Sequence, residues 1–244
     1  MRVMLRIAYD GTGYCGWQIQ PNGISVQQLI NEAVSDLFGT DIEVMGASRT
    51  DAGVHALDQV AVFDVDTKMP ADKISYALNQ RLPEDIVVQS SMQVEDDFHP
   101  RYAQSMKTYE YKILNSKMPD PTVRRDTFHY YYPLDVEKMS MAASYLIGRH
   151  DFTSFSSVKA QVKSRVRTIY SIKVYKEDNI IHIRVTGDGF LYNMVRIIAG
   201  TLIKVGAGEI APEEMLNILM GRNRELAGPT AVAQGLTMIS LEYL

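Results

Sequence analysis

Apolar residues in this chain change spacing several times, and the order of those changes restricts the fold more than any other property. Residues 2–9 read as a strand. Ser25 then offers an N-cap for a helix in which Val26, Leu29, Ile30, Ala33, Val34 and Leu37 recur at helical spacing, ending near Gly39. Strand-like runs follow at 42–45 and 59–65. Pro70 in a first-turn position opens a second helix through Leu78, and 85–94 reads as a strand. The resulting order, β-α-β-β-α-β, is the split βαβ or ferredoxin-like arrangement.

The order then restarts near residues 103–106. A strand is expected at 107–114, a helix at 135–147, a hairpin from 168–175 and 180–185, and a long helix at 190–205. A short helix after Pro212 and a strand near 236–241 complete it. The expected fold is therefore α+β, two tandem ferredoxin-like lobes at 1–104 and 105–244, with mainly antiparallel sheets and helices packed on one face. No low-complexity linker separates them. The lobes are thus expected to pack tightly, with the ligand cleft between them.

Composition narrows the function classes. Of 244 residues 46% are hydrophobic, enough for a real core, while Arg6 and Asp10 interrupt the first apolar run, so no export signal and no membrane association are expected. Cys15 is the only cysteine, which excludes an intramolecular disulfide or a cysteine-based zinc cluster and fits a reducing, cytoplasmic setting. The five histidines are scattered, so no metal is expected. A net charge of −4 argues against coating nucleic acid by bulk charge. Locally the balance reverses: Lys159, Lys163, Arg165, Arg167, Lys173 and Lys176 run without an acidic residue, interleaved with Tyr170 and Tyr175. Such a stripe either tracks a phosphate backbone or is the solvated face of a strand.

Three features carry candidate chemistry. The first is the polar, glycine-punctuated stretch 46–60, in which Asp51 follows Arg49 and Thr50 and precedes Gly53, with strands fixing both ends. It reads either as a catalytic loop or as a solvated turn. The second is Arg196, inside a helix that Leu191, Met194, Val195, Ile197, Ile198, Leu202 and Ile203 make apolar nearly all round. A guanidinium buried there needs an acidic partner, forms a structural ion pair or extends outward along its stem; Ala199 and Gly200 leave room for a partner. The third is the pair Tyr109 and Tyr111, which share one face of a strand, either as packing residues or as a ring stacking on a base. The run Tyr130-Tyr131-Tyr132 reads as an aromatic strand end.

Several segments together resemble the bacterial tRNA pseudouridine synthase A family. They are Tyr9-Asp10-Gly11 with Gly16-Trp17-Gln18, Arg49-Thr50-Asp51-Ala52-Gly53-Val54-His55-Ala56 with Gln59-Val60, and Phe98-His99 with Arg101. Further on come Lys107, Tyr109 and Tyr111, then Asp151-Phe152-Thr153-Ser154-Phe155, Met194-Val195-Arg196 and Ala233-Gln234-Gly235-Leu236. The resemblance runs from end to end in one order. It implies isomerisation of uridine to pseudouridine in the tRNA anticodon arm, at positions 38 to 40, by a homodimer without cofactor or metal. It also implies roles: Asp51 as nucleophile, Arg196 as its ion-pair partner, Tyr109 packing on the target base, and Arg49 helping to expel that base. Lys159, Lys163, Arg165 and Arg167 would then hold the tRNA backbone.

Two positions depart from the usual pattern of that family, Ser48 and Asp58, where glycine is common. Two other readings compete. A non-catalytic RNA-binding protein would use aromatic residues at strand centres. A nucleoside hydrolase using Asp51 would call for a second catalytic acid or a metal, and no paired acids accompany the motif.

Overall fold

A computed structural model describes residues 1–157 and 162–244. In chain order its elements are β1 (Arg2–Tyr9), α1 (Val26–Phe38), β2 (Met45–Gly46), β3 (His55–Asp64), α2 (Ala71–Asn79) and β4 (Ile86–Val94). They continue with β5 (Ser105–Asn115), β6 (Phe128–Tyr130), α3 (Val136–Ser144), β7 (Gly148–Asp151), β8 (Val166–Glu177) and β9 (Ile180–Gly187). Then come α4 (Met194–Gly206), α5 (Glu214–Gly221) and β10 (Leu236–Tyr243). The chain is mixed α+β. It divides into two compact units, Met1–Gln104 with Met238–Leu244, and Ser105–Thr237.

In the first unit the strand order is β4-β1-β3, with β2 also on β3 and all these pairs antiparallel. This is the split βαβ order. Ser25 caps α1 by accepting from Gln28 N, and Gly39 ends it in the left-handed region at φ 69°. Val3, Leu5 and Ile7 of β1 are buried on the same face as their partners Phe63, Ala61 and Gln59. Met4 points the other way, into a second apolar cluster with Ala47, Val60, Val62 and Leu241, flanked by Phe98 and Tyr243.

That second cluster explains why Met238–Leu244 groups with the first unit, whereas the sequence reading carries the second lobe to residue 244. Leu241 fills the cluster, the Tyr243 ring meets Phe98 edge-on at 5.0 Å, and Leu244 N donates to Gln104 O at 3.0 Å. A strand expected at 42–45 shrinks to Met45–Gly46. Residues before it bond to side chains of α1 instead: Ile42 N donates to Ser35 Oγ, Val44 N to Asn31 Oδ1, and Gln27 Nε2 to Val44 O.

In the second unit the order is β5-β9-β8-β7, antiparallel throughout, with β6 running parallel to β5. β8 and β9 form the expected hairpin, whose turn holds Asp178 at φ 51°. The long helix is shorter than its apolar spacing suggests: it spans Met194–Gly206 rather than 190–205. Asn193 sits at φ 63°, and this left-handed residue stops the helix from extending backward through Tyr192 and Leu191. Among the described residues no helix is long and apolar enough to cross a membrane.

Candidate active site

Within the first unit, the segment from Ser48 to His55 connects β2 to β3, and its side chains alternate. Ser48 and Thr50 are buried, Arg49 between them is exposed, and Asp51 is half-buried. Ser48 and Thr50 are the inward anchors of the segment, and Arg49 faces water. The anchors are specific. Thr50 Oγ1 shares a hydrogen bond of 2.8 Å with the Tyr9 hydroxyl, and Thr50 O accepts from Trp17 N at 3.1 Å. Gln59 Nε2 donates to Ser48 O at 2.8 Å.

Beyond the carboxylate the loop is tied down again. Val54 N donates to Asp51 O at 3.1 Å, Gly53 N to Tyr14 O at 3.2 Å, and Gly11 N to His55 Nδ1 at 3.1 Å. Asp10 Oδ1 also lies 3.1 Å from His55 Nδ1. These approaches require glycine: a Cβ at Gly11 would stand 2.0 Å from Val54 O, and one at Gly16, at φ +99°, would stand 2.5 Å from Thr50 O. Tyr9-Asp10-Gly11 and Gly16-Trp17 thus form the bed on which the Asp51 loop rests. Sequence spacing alone shows no such role, because Tyr9 and Thr50 lie 41 residues apart. Burial pushes the Tyr9 phenol up, and hydrogen bonds with Thr50 and Gln59 draw it back only in part.

Within the second unit, Arg196 lies in the first turn of α4. It is half-buried rather than fully buried, a correction to the sequence expectation. Its Nε donates to Ala231 O at 2.7 Å and its Nη1 to Asn193 Oδ1 at 3.0 Å, while its own carbonyl accepts from Ala231 N at 3.1 Å. The guanidinium is therefore oriented by the backbone of Ala231 and by the residue that starts its helix. Gly200, one turn on, lets that backbone approach: a Cβ there would lie 1.9 Å from Pro229 O. The small residues beside Arg196 thus make room for chain, at 229–231.

Tyr109 and Tyr111 are both buried on β5. The Tyr109 ring meets Phe190 edge-on at 5.2 Å. The Tyr111 hydroxyl donates to Val232 O at 2.9 Å; burial pushes its phenol up, and the nearby Arg196 charge opposes that. Phe152 and Phe155 are fully buried, and Ser154 between them bonds to Ile218 O and Asn223 N. Of the basic stripe, Lys163 is exposed and Arg165 and Arg167 are half-buried, with Arg167 Nη1 donating to Ser164 O and Val166 O. Lys159 lies outside the described residues. Among the described residues no group of His, Cys, Asp or Glu is arranged to hold a metal ion.

The family model described as tRNA pseudouridine synthase matches residues 6–103 and 142–243. The chain is 48% identical over 241 residues to tRNA pseudouridine synthase A of a Thermoanaerobacter species, covering 99% of both chains. It is 50% identical over 243 residues to the protein of that name from Ruminiclostridium cellulolyticum, again over 99% of each. The counterpart from Brevibacillus brevis is 46% identical over 242 residues, also 99% of each. With more than half of its residues matched by the family model and near-complete relatives at this identity, the chain belongs to the tRNA pseudouridine synthase family.

Proposed function

We propose that this chain isomerises uridine to pseudouridine in the anticodon arm of tRNA, at positions 38 to 40, with Asp51 as its nucleophile. The observation that carries the reading is the loop itself: a half-buried carboxylate between an exposed arginine and a glycine, in a segment held on both sides by hydrogen bonds. The reaction breaks the C1′–N1 bond, turns the uracil and forms a C1′–C5 bond, while the C5 proton leaves and N1 regains one. Atoms and electrons balance without a redox partner, so the proposal invokes no cofactor or metal. Asp51 attacks either C1′ or the uracil ring; both routes use an ionised carboxylate.

Arg196 is assigned to pair with Asp51 and favour its charged form. Tyr109 is assigned to pack on the target base and assist loss of the C5 proton. Arg49, exposed on the same loop, is suited to take the place of a nucleotide that leaves its stack, a step costing a few kcal/mol. Lys163, Arg165 and Arg167, with Lys159, are assigned to the tRNA backbone. The proposal includes a homodimer acting in the cytoplasm, because pairing two copies of an acidic chain gathers their local basic surfaces.

The test is release of tritium from C5-labelled uridine in undermodified tRNA. Wild-type protein is expected to release it, and Asp51→Asn to be slower by at least about 10³-fold, as for loss of a nucleophile. Binding of tRNA without release by either protein would favour an RNA-binding module, and free uracil as product a hydrolase.

A further inference from the structure

We propose that Tyr9 is a positioning residue for this reaction: its hydroxyl, bonded to Thr50 Oγ1, locks the residue before Asp51 inward and so keeps the Asp51 carboxylate turned toward substrate. The inference rests on the assignment of Asp51 as nucleophile.

Tyr9 ends β1, the strand that lies between β3 and β4 in the first unit, so its backbone is held on both edges by antiparallel pairing. Its ring is buried, tilted against Trp17 at 6.2 Å, and only its hydroxyl reaches toward the loop. Thr50 is fixed at two points: its carbonyl by Trp17 N, and its side chain by Tyr9. The carbonyl bond alone leaves the side-chain torsion of Thr50 free. The bond to Tyr9 fixes that torsion and holds Thr50 inward, between exposed Arg49 and half-buried Asp51, at the point where the turn closed by Val54 N on Asp51 O begins. Burial keeps the phenol protonated across the working pH range, so the bond persists throughout it. Without the hydroxyl, Thr50 Oγ1 would sit in a largely water-free site lacking this partner, and the loop would relax to find another.

Small misplacements of a reacting group lower the chemical step more than binding. Tyr9→Phe, which keeps the ring, is expected to lower single-turnover kcat about tenfold with KM for tRNA within about twofold of wild type. Thr50→Val, which keeps the shape and removes the hydroxyl, is expected to behave alike, and Thr50→Ser to recover most of the loss. The double variant Tyr9→Phe/Thr50→Val should be no slower than Tyr9→Phe alone, because the hydroxyl that Tyr9→Phe removes is the partner that Thr50→Val loses, while the contact of that hydroxyl with Gln59 is gone in both. A purely structural role would instead lower the melting temperature and leave kcat of the folded protein unchanged. That result, or effects of the two single changes that multiply, overturns the proposal. Asp51→Asn, measured in parallel, separates the two claims. If it is inactive while Tyr9→Phe is as fast as wild type, only the positioning role fails; if it is active, the nucleophile assignment fails and the positioning role with it.

Discussion

Asp58 shows how a charged side chain is accommodated within a sheet. This chain places the Asp58 carboxylate on β3 near Arg6 of β1, whose register partner is Val60, and beside Leu241 of β10. Arg6 Nη1 donates to both Asp58 oxygens, at 2.6 and 2.5 Å, and also to Leu241 O, while Leu241 N donates to Asp58 Oδ2 at 3.0 Å. The carboxylate thus accepts a charged donor and a backbone donor together, and the guanidinium reaches the same residue's carbonyl. Both side chains are mostly shielded from water, so the pair is worth more than a surface ion pair. Asp58→Ala should cost about 1–3 kcal/mol, because it strands a buried backbone N–H and leaves Arg6 without its anion. Urea unfolding checks this, and the lost stability should accompany loosening of Met238–Leu244, read as faster amide exchange at Leu241. An unchanged unfolding midpoint would mean that water replaces the carboxylate without loss.

Helix α4 illustrates how far an element can be read from its sequence. Its body is legible because eleven of its 13 residues are buried, only Arg196 and Lys204 being less so, and its C-terminal half ends where spacing predicts. Its start is not, since Leu191 fits the apolar spacing and nothing in that spacing signals a left-handed Asn193. The β-α-β-β-α-β order was likewise legible, because Ser25, Gly39 and Pro70 mark helix ends by local chemistry. Strand β6 showed only as an aromatic strand end at Tyr130 and β7 not at all, as three or four residues carry too little periodicity. The Asp51 loop was readable from residue types, whereas its bed on Tyr9, Gly16 and Trp17 depends on tertiary contact. Gly200 offers an element-scale test. In an ordinary helix Gly→Ala stabilises by roughly 0.5–1 kcal/mol. Here the added Cβ would stand 1.9 Å from Pro229 O, and backbone cannot yield as a side-chain tip can. Gly200→Ala should therefore destabilise by about 1–3 kcal/mol. It should also lower activity, since displacing 229–231 moves the Ala231 carbonyl that orients Arg196. A raised melting temperature would show that the segment shifts without cost.

For the whole molecule the open physical question is how a chain of net charge −4 holds a polyanion. Bulk charge repels tRNA, so affinity has to come from local cations that displace counterions from phosphates. Of the stripe residues assigned to the tRNA backbone, Lys163 is exposed and Arg165 half-buried, while Nη1 of Arg167 already donates to the carbonyls of Ser164 and Val166; Lys173 and Lys176, further along β8, are exposed as well. Each true phosphate contact contributes nearly one unit to the slope of log affinity against log salt. The double change Lys163→Ala/Arg165→Ala should therefore flatten that slope by about 1–2 and weaken tRNA binding at low salt, with little change in single-turnover rate once the enzyme is saturated. A merely solvated strand face predicts the opposite, an unchanged slope. The measurement decides between the two readings that the stripe left open, because the slope counts the counterions that phosphate contacts release, and side chains that make no such contact leave it nearly unchanged when removed. The rate at saturation separates holding the tRNA from transforming it, and on this reading those tasks fall to different residues: the stripe holds the backbone, while the loop around Asp51 acts on one nucleotide.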